Sequence, residues 1–100
     1  MRAELQLLAR LKQAGYFERG DFDPEPVFQV CRVHFGLDIV NPIDREQIYA
    51  MIDCLTADGL ARFEYSSDPK LHPKDTLDYW RLVLTALGGR TLQRDHDDDN

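Results

Sequence analysis

Residues 44–63, DREQIYAMIDCLTADGLARF, predict a helix, a glycine stop and a strand in direct succession. Asp44 suits the N-cap position, and Gln47, three residues later, completes a capping-box pattern. Apolar residues then recur at helical spacing and form one stripe: Ile48, Met51, Ile52 and Leu55. Gly59 can adopt the left-handed conformation that ends a helix. Residues 60–65 then alternate between apolar and charged side chains, as a half-buried strand does.

The first segment of the chain predicts another helix, over residues 2–14. Its broad apolar face consists of leucines, and Gly15 ends it: Leu5, Leu7, Leu8 and Leu11. The loop over residues 15–22 contains three aromatic side chains. Aromatic residues in a connection usually pack on the core, so we expect this loop to cover it.

A second helix is predicted between Asp23 and Gly36. Asp23 is the expected N-cap, Pro24 fits the first helical position, and Gly36 ends the helix. One face of this helix is predicted to be buried: Val27, Val30, Cys31, His34 and Phe35. Residues 37–43 form a linker in which Asn41 precedes a proline, a turn signal that disfavours helix at Asn41.

The chain beyond the third helix predicts a strand pair and a last helix. Residues 66–78 form a connection too long for a tight hairpin, and residues 79–84 alternate as a returning strand. Thr85 is placed to cap a short helix over residues 86–93. Residues 95–100 form an acidic tail that contains no apolar residue, and this composition predicts disorder.

Two of these stretches resemble winged-helix domains. Residues 55–63, LTADGLARF, resemble the end of the family's recognition helix and its first wing strand. Residues 79–88, YWRLVLTALG, resemble the returning strand and the family's Leu-Thr-x-x-Gly helix start. The resemblance implies an α+β fold for residues 1–94, with a three-helix core, a two-stranded antiparallel β-wing and a short C-terminal helix. The 37–43 connection departs from the tight turn of a strict helix-turn-helix, because it is longer.

The same resemblance implies DNA binding and transcription regulation, with the third helix and the wing as the contact surface. The charge favours a different class of function. The 100 residues, which suffice for one domain, include 18 acidic and 12 basic side chains, a net charge of −6. DNA-binding surfaces are normally basic. The alternative is an acidic winged helix that binds protein, as an adaptor or as a phage-type inhibitor of a nucleic-acid-handling machine.

The candidate contact residues lie in two groups. The third helix presents Arg45, Glu46, Tyr49 and Asp53, and the wing with its returning strand presents Lys70, His72, Lys74 and Arg81. Between Arg45 and Asp58 there are one basic and three acidic residues, a net charge of −2, which repels phosphate. A solvated face, a protein contact and base readout all remain open for the helix. For the wing, ordinary solvation and phosphate contact remain open.

No pattern in the sequence predicts catalysis or a bound cofactor. Cys31 and His34 are spaced to share a metal ion, but structural zinc takes four ligands and only Cys54 is an obvious third. Burial on apolar faces explains both cysteines without a metal. The chain contains no glycine-rich phosphate loop, nucleophile elbow or His-Glu-x-x-His motif. We therefore expect a protein that is not an enzyme and has neither metal nor cofactor.

The remaining expectations concern partners and location. Tyr79 and Trp80 are adjacent in a predicted strand, so they point to opposite faces, and the exposed one becomes a candidate partner or homodimer contact. The N-terminus does not resemble a secretory signal, and no apolar run is long enough to cross a membrane. Two cysteines do not make a disulfide scaffold, which favours a reduced, cytoplasmic location.

Overall fold

The computed structural model of the chain describes residues 2–65 and 80–98, with side chains described as far as Arg94. In chain order the elements are α1 (Ala3–Gln13), a 3-10 helix (Tyr16–Glu18), α2 (Glu25–Phe35), α3 (Pro42–Ala57), β1 (Ala61–Tyr65), β2 (Trp80–Leu84) and α4 (Ala86–Asp98). Four helices and a two-stranded sheet confirm the predicted α+β class. The element order is also the predicted one, although the loop after α1 contains a 3-10 helix.

The two strands run antiparallel in a register that aligns the ends of the pair. Ala61 lies opposite Leu84, and Tyr65 lies opposite Trp80. The connection between the strands, over residues 66–79, lies outside the described residues. The predicted wing contacts Lys70, His72 and Lys74 therefore lie outside them too, as does Tyr79.

The core forms where α2 and α3 pack on α1 and the strand pair packs on α3 through β1. Its most completely buried side chains are Leu7, Leu8 and Leu11 of α1, Val27 and Cys31 of α2, Ile48, Ile52 and Leu55 of α3, and Leu82 of β2. The predicted apolar stripes of all three helices are thus confirmed. Two residues that were predicted to be buried are exposed: His34, from the α2 stripe, and Cys54, which was expected on an apolar face.

The start of α3 corrects the prediction that Asp44 is its N-cap. The cap is Asn41, whose side-chain oxygen accepts hydrogen bonds from the amides of Ile43 at 2.9 Å and Asp44 at 3.3 Å. Asn41 itself is extended, as a residue before proline prefers, and Pro42 takes the first helical position. The carboxylate of Asp44 instead accepts from the amide of Asp38, which closes the connection onto the helix.

The start of α2 is also shifted, by one residue, because Pro24 precedes the first helical residue rather than occupying it. The N-cap residue is therefore Pro24 and not the predicted Asp23, although the Asp23 carboxylate, one residue earlier, accepts from the amide of Glu25 at 3.0 Å. The loop after α1 packs on the core as expected. Tyr16 is 4% exposed, and its hydroxyl accepts a hydrogen bond from the amide of Leu82 in β2.

The turn after α3 has the geometry of a Schellman motif. Gly59 has a φ of 74°, its amide bonds the carbonyl of Thr56, and the amide of Leu60 bonds the carbonyl of Leu55 at 2.9 Å. Thr85 then ties the start of α4 to this turn. Its hydroxyl donates to the Gly59 carbonyl at 2.6 Å and accepts from the Gly88 amide at 3.0 Å, which confirms the predicted cap. Helix α4 ends at Asp98, beyond the predicted end at Gln93.

Replacing Gly88 by alanine should destabilise the fold by about 1–3 kcal/mol, the usual cost of overpacking. A Cβ at position 88 would overlap the backbone carbonyl oxygen of Leu60 and lie 2.8 Å from Leu84 Cδ1. Gly89→Ala is the matched control, because its Cβ meets nothing closer than Leu84 Cδ2 at 3.9 Å. Chemical denaturation should show Gly89→Ala unchanged or stabilised. Equal stability of the two variants would contradict this packing.

Replacing Leu55 by alanine should lower the free energy of unfolding by about 2–5 kcal/mol, because Leu55 is fully buried. Cys54→Ala removes a neighbouring side chain that is exposed, so it should change stability by no more than about 0.5 kcal/mol. Both values can be measured by urea titration. A loss below about 1 kcal/mol for Leu55→Ala would mean that α3 presents another face to the core.

Candidate functional site

Trp80 packs against three further aromatic rings, and each of the four rings comes from a different element. The ring centroid of Trp80 lies 5.9 Å from that of Phe28 on α2, 6.4 Å from that of Tyr49 on α3, and 5.3 Å from that of Phe63 on β1. Trp80 itself is 3% exposed, while the other three rings are partly exposed. Trp80 therefore anchors the strand pair to α2 and α3, and the other rings form an aromatic surface above it.

This aromatic surface is the floor of an open groove of about 660 Å³, which we call the aromatic groove. One wall is the start of α2, with Glu25 and Phe28, together with Ile39 and Val40 of the α2–α3 connection. Helix α3 forms another wall, and the end of the sheet contributes Phe63, Tyr65 and Trp80. The groove is thus formed by elements that are distant in the sequence, and each supplies at least one large apolar side chain.

The α3 wall consists of Arg45, Tyr49 and Asp53. These residues are four apart along the helix, so they share one face, with the two charges about 12 Å apart along the axis. Three of the four contact residues predicted on α3 are therefore brought together in one groove. Glu46, the fourth, is exposed on the same helix but does not line the groove.

The charged side chains of the groove differ in whether they have a partner among the described residues. Arg45 Nε donates to the backbone carbonyl of Ile39 at 2.9 Å, so this guanidinium is held against the α2–α3 connection. Within the described residues, the carboxylates of Glu25 and Asp53 form no ion pair. The aromatic groove therefore contains one cation with an internal partner and two carboxylates with none among these residues.

Arg81, the predicted contact on the returning strand, has several internal partners. Its guanidinium bonds the Glu64 carboxylate at 2.6 Å and the carbonyl of Arg19 at 3.2 Å, and it lies 4.9 Å above the ring of Phe22. The hydrogen bond from Arg81 holds the pKa of the Glu64 carboxyl below its usual value. Arg81 therefore connects β1, β2 and the loop after α1, and it does not line the aromatic groove.

Exposed apolar side chains mark the edges of the same groove. Val40 is 73% exposed and Tyr65 is 56% exposed, with the Tyr65 ring stacked on Phe63 at 5.9 Å between centroids. The sequence predicted one exposed aromatic residue among Tyr79 and Trp80. Trp80 is buried, and Tyr79, the other residue of the pair, lies outside the described residues. Among the described residues, Tyr65 on the neighbouring strand is an exposed aromatic side chain. The alternation in β1 placed Tyr65 on the same side as Ala61 and Phe63 but did not show that this last residue of the strand is exposed.

The structure does not bring Cys31, His34 and Cys54 together. Cys31 is buried, whereas His34 and Cys54 are exposed. Among the residues that the structure describes, no group of three or more histidine, cysteine or acidic side chains is placed to hold a metal ion. Burial raises the pKa of the Cys31 thiol from 9.0 to about 11. The two thiols should therefore differ strongly in reactivity.

In the native protein at pH 8, a thiol reagent should label Cys54 rapidly and Cys31 only on unfolding, because only Cys54 is exposed. Mass spectrometry after timed labelling would show the order. The Cys54→Ser variant isolates the slow site, and the Cys31→Ala variant isolates the fast one. Comparable labelling rates for the two thiols in the folded protein would contradict the packing of α2.

The Cys31 thiol should also make stability depend on alkaline pH. The folded state keeps its proton up to a pKa of about 11, while the unfolded thiol ionises near 9.0. The contribution of the protonated Cys31 thiol to the free energy of unfolding is therefore fully present below pH 9. It is lost as the pH rises from about 9 towards 11. Cys31→Ala should flatten that part of the stability curve. Burial also raises the pKa of Tyr16, so part of the alkaline loss remains in the variant.

No described helix is long and apolar enough to cross a bilayer. Comparison of the chain with protein-family models, with curated proteins and with solved structures finds no significant match in any of the three. The geometry of the aromatic groove and the order of the elements are therefore what can indicate a function.

Proposed function

We propose that the protein is a protein-recognition domain of winged-helix type, and that it binds a segment of a partner in the aromatic groove. The observation that carries this proposal is the cluster of rings from α2, α3 and the strand pair, opened to solvent beside exposed Val40 and Tyr65. A cytoplasmic location, expected from the two free cysteines, belongs to the same proposal.

The composition of the groove supports a protein partner. Tyrosine, tryptophan and arginine are enriched at the energetic centres of protein interfaces, and aromatic rings bury much area at low cost in side-chain entropy. Tyr49 and Arg45 lie on α3, and Tyr65 lies at the end of β1, so their positions are set by regular elements. A surface fixed in this way binds with little loss of conformational entropy.

DNA binding is the second candidate, because the element order and the stretches at residues 55–63 and 79–88 resemble winged-helix domains. The charges of the described residues give it less support. Arg45 and Arg81 both bond backbone carbonyls within the domain. The phosphate contacts would then fall chiefly to Lys70 and Lys74, since α3 has three acidic residues against one basic.

Peptides selected from a random displayed library should bind in the aromatic groove, and Tyr65→Ala should weaken the selected peptides about tenfold, or about 1.4 kcal/mol. Tyr65 is exposed, so its loss should leave the fold intact. Val33→Ala is the matched control, because Val33 is 65% exposed on α2 but does not line the groove. Calorimetry gives the affinities, and amide shifts give the site. Selected peptides that map elsewhere would refute the proposal.

A gel shift at two salt concentrations tests the DNA alternative. Duplex binding through Lys70 and Lys74 should weaken steeply with salt, by about 0.9 in log–log slope per neutralised phosphate. Replacing both lysines by alanine should then reduce the slope by about two. Sub-micromolar duplex binding at physiological salt, lost in this double variant, would establish the DNA candidate. Absence of binding to a random-sequence duplex pool at low salt would eliminate it.

A further inference from the structure

We infer that the partner segment of the aromatic groove is basic, and that it places an arginine side chain between the exposed tyrosine face and the Asp53 carboxylate. This inference rests on the proposed function, since it names the chemistry of the segment that the groove accepts. It is carried by the charges along α3, by the accessible ring faces and by the hydrogen bond that Arg45 already makes within the domain.

The electrostatic argument begins with the whole chain, whose net charge of −6 favours encounter with a basic partner. Helix α3 repeats the excess locally, with Asp44, Glu46 and Asp53 against Arg45. Inside the groove, the guanidinium of Arg45 already bonds the Ile39 carbonyl. The two groove carboxylates, Glu25 and Asp53, have no ion-pair partner among the described residues, so a cation is the ligand that complements them.

The aromatic argument concerns the ring faces that line the same groove as those carboxylates. Tyr65 stacks on Phe63 with the ring planes 21° apart, so one side of Tyr65 is covered and the residue as a whole stays 56% exposed. A guanidinium binds an aromatic face by cation–π attraction and planar stacking. Arginine suits this groove better than lysine, because its planar group can stack on a ring and still donate to a carboxylate.

Other occupants fit these residues less well. An acidic segment would bring its carboxylates towards Glu25 and Asp53. A purely apolar segment would remove those two carboxylates from water without offering them a partner, which is costly. A second copy of this chain would bring a further charge of −6 towards an acidic surface. An arginine-bearing segment of another protein satisfies both the rings and the carboxylates.

The test uses the full chain and three synthetic peptides that differ only in charge. In the first peptide arginine alternates with leucine, in the second every arginine is glutamine, and in the third every arginine is glutamate. Calorimetry should give an affinity for the arginine peptide about tenfold or more above that for the glutamine peptide. Amide shifts at Tyr49, Asp53 and Tyr65 should identify the groove as the site. The glutamate peptide should bind most weakly.

A matched pair of variants separates a specific contact from general charge attraction. Asp53→Asn should weaken the arginine peptide about fivefold, because it removes a carboxylate of the groove. Glu46→Gln removes the same charge from the same helix outside the groove, so it should leave the affinity nearly unchanged. Equal losses in the two variants would reduce the effect to diffuse attraction and overturn the inference.

The remaining outcomes distinguish this inference from the proposed function. Equal binding of the arginine and glutamine peptides in the groove would overturn the basic preference and leave the groove a protein-binding site. Groove amides that shift with none of the peptides would overturn the inference, and failure of the library selection as well would remove the proposed function. Shifts that depend on protein concentration alone would indicate a second copy as occupant. Binding that requires replacement of residues 66–79 by a glycine–serine linker would assign the groove to the chain itself.

Discussion

The turn at Gly59 and Leu60 holds three parts of the molecule together. It ends α3 through the bonds from Gly59 to Thr56 and from Leu60 to Leu55, and it begins β1. The carbonyl of Leu60 accepts from the amide of Thr85, and the carbonyl of Gly59 accepts from the Thr85 hydroxyl at 2.6 Å. One short turn therefore fixes where α3 stops, where the strand pair starts and where α4 enters. The close approach of Gly88 to the Leu60 carbonyl follows from this geometry.

Helix α3, which ends at this turn, has two distinct faces. Ile48, Ile52 and Leu55 are fully buried in the core, while Arg45, Tyr49 and Asp53 form one wall of the aromatic groove. The strand pair leaves the turn at a position where Trp80 can reach Tyr49 and Phe28. The groove therefore depends on the direction in which the sheet departs from α3.

The sequence was informative where one local interaction decides the structure. Leucine spacing in α1 and the glycine after α3 correctly indicated a buried face and a helix end. It was less informative where two neighbouring signals competed. Asn41 and Asp44 are both good caps, and Asn41 prevails because Pro42 is preorganised for the first helical position. His34 and Cys54 lie at the margins of apolar stripes, where spacing does not decide exposure.

The candidate site was only partly foreseeable, because it is assembled from distant segments. The α3 residues could be assigned to one face by their spacing, but nothing in the sequence placed Phe28 or Phe63 beside them. Arg81 looked like a contact residue because it follows a predicted wing. In the structure its guanidinium bonds the Glu64 carboxylate and the carbonyl of Arg19. A long-range ion pair of this kind leaves no local pattern in the sequence.

The hydrogen bond from the Leu82 amide to the Tyr16 hydroxyl covers part of the outer edge of β2. A strand at the side of a sheet normally offers its amides and carbonyls to an incoming strand, either as a binding mode or as a route to aggregation. Here the Leu82 amide already donates to the buried Tyr16 hydroxyl. The backbone at Arg19 also lies beside β2, because its carbonyl accepts a hydrogen bond from Arg81. Strand addition at this side of β2 is therefore blocked at Leu82.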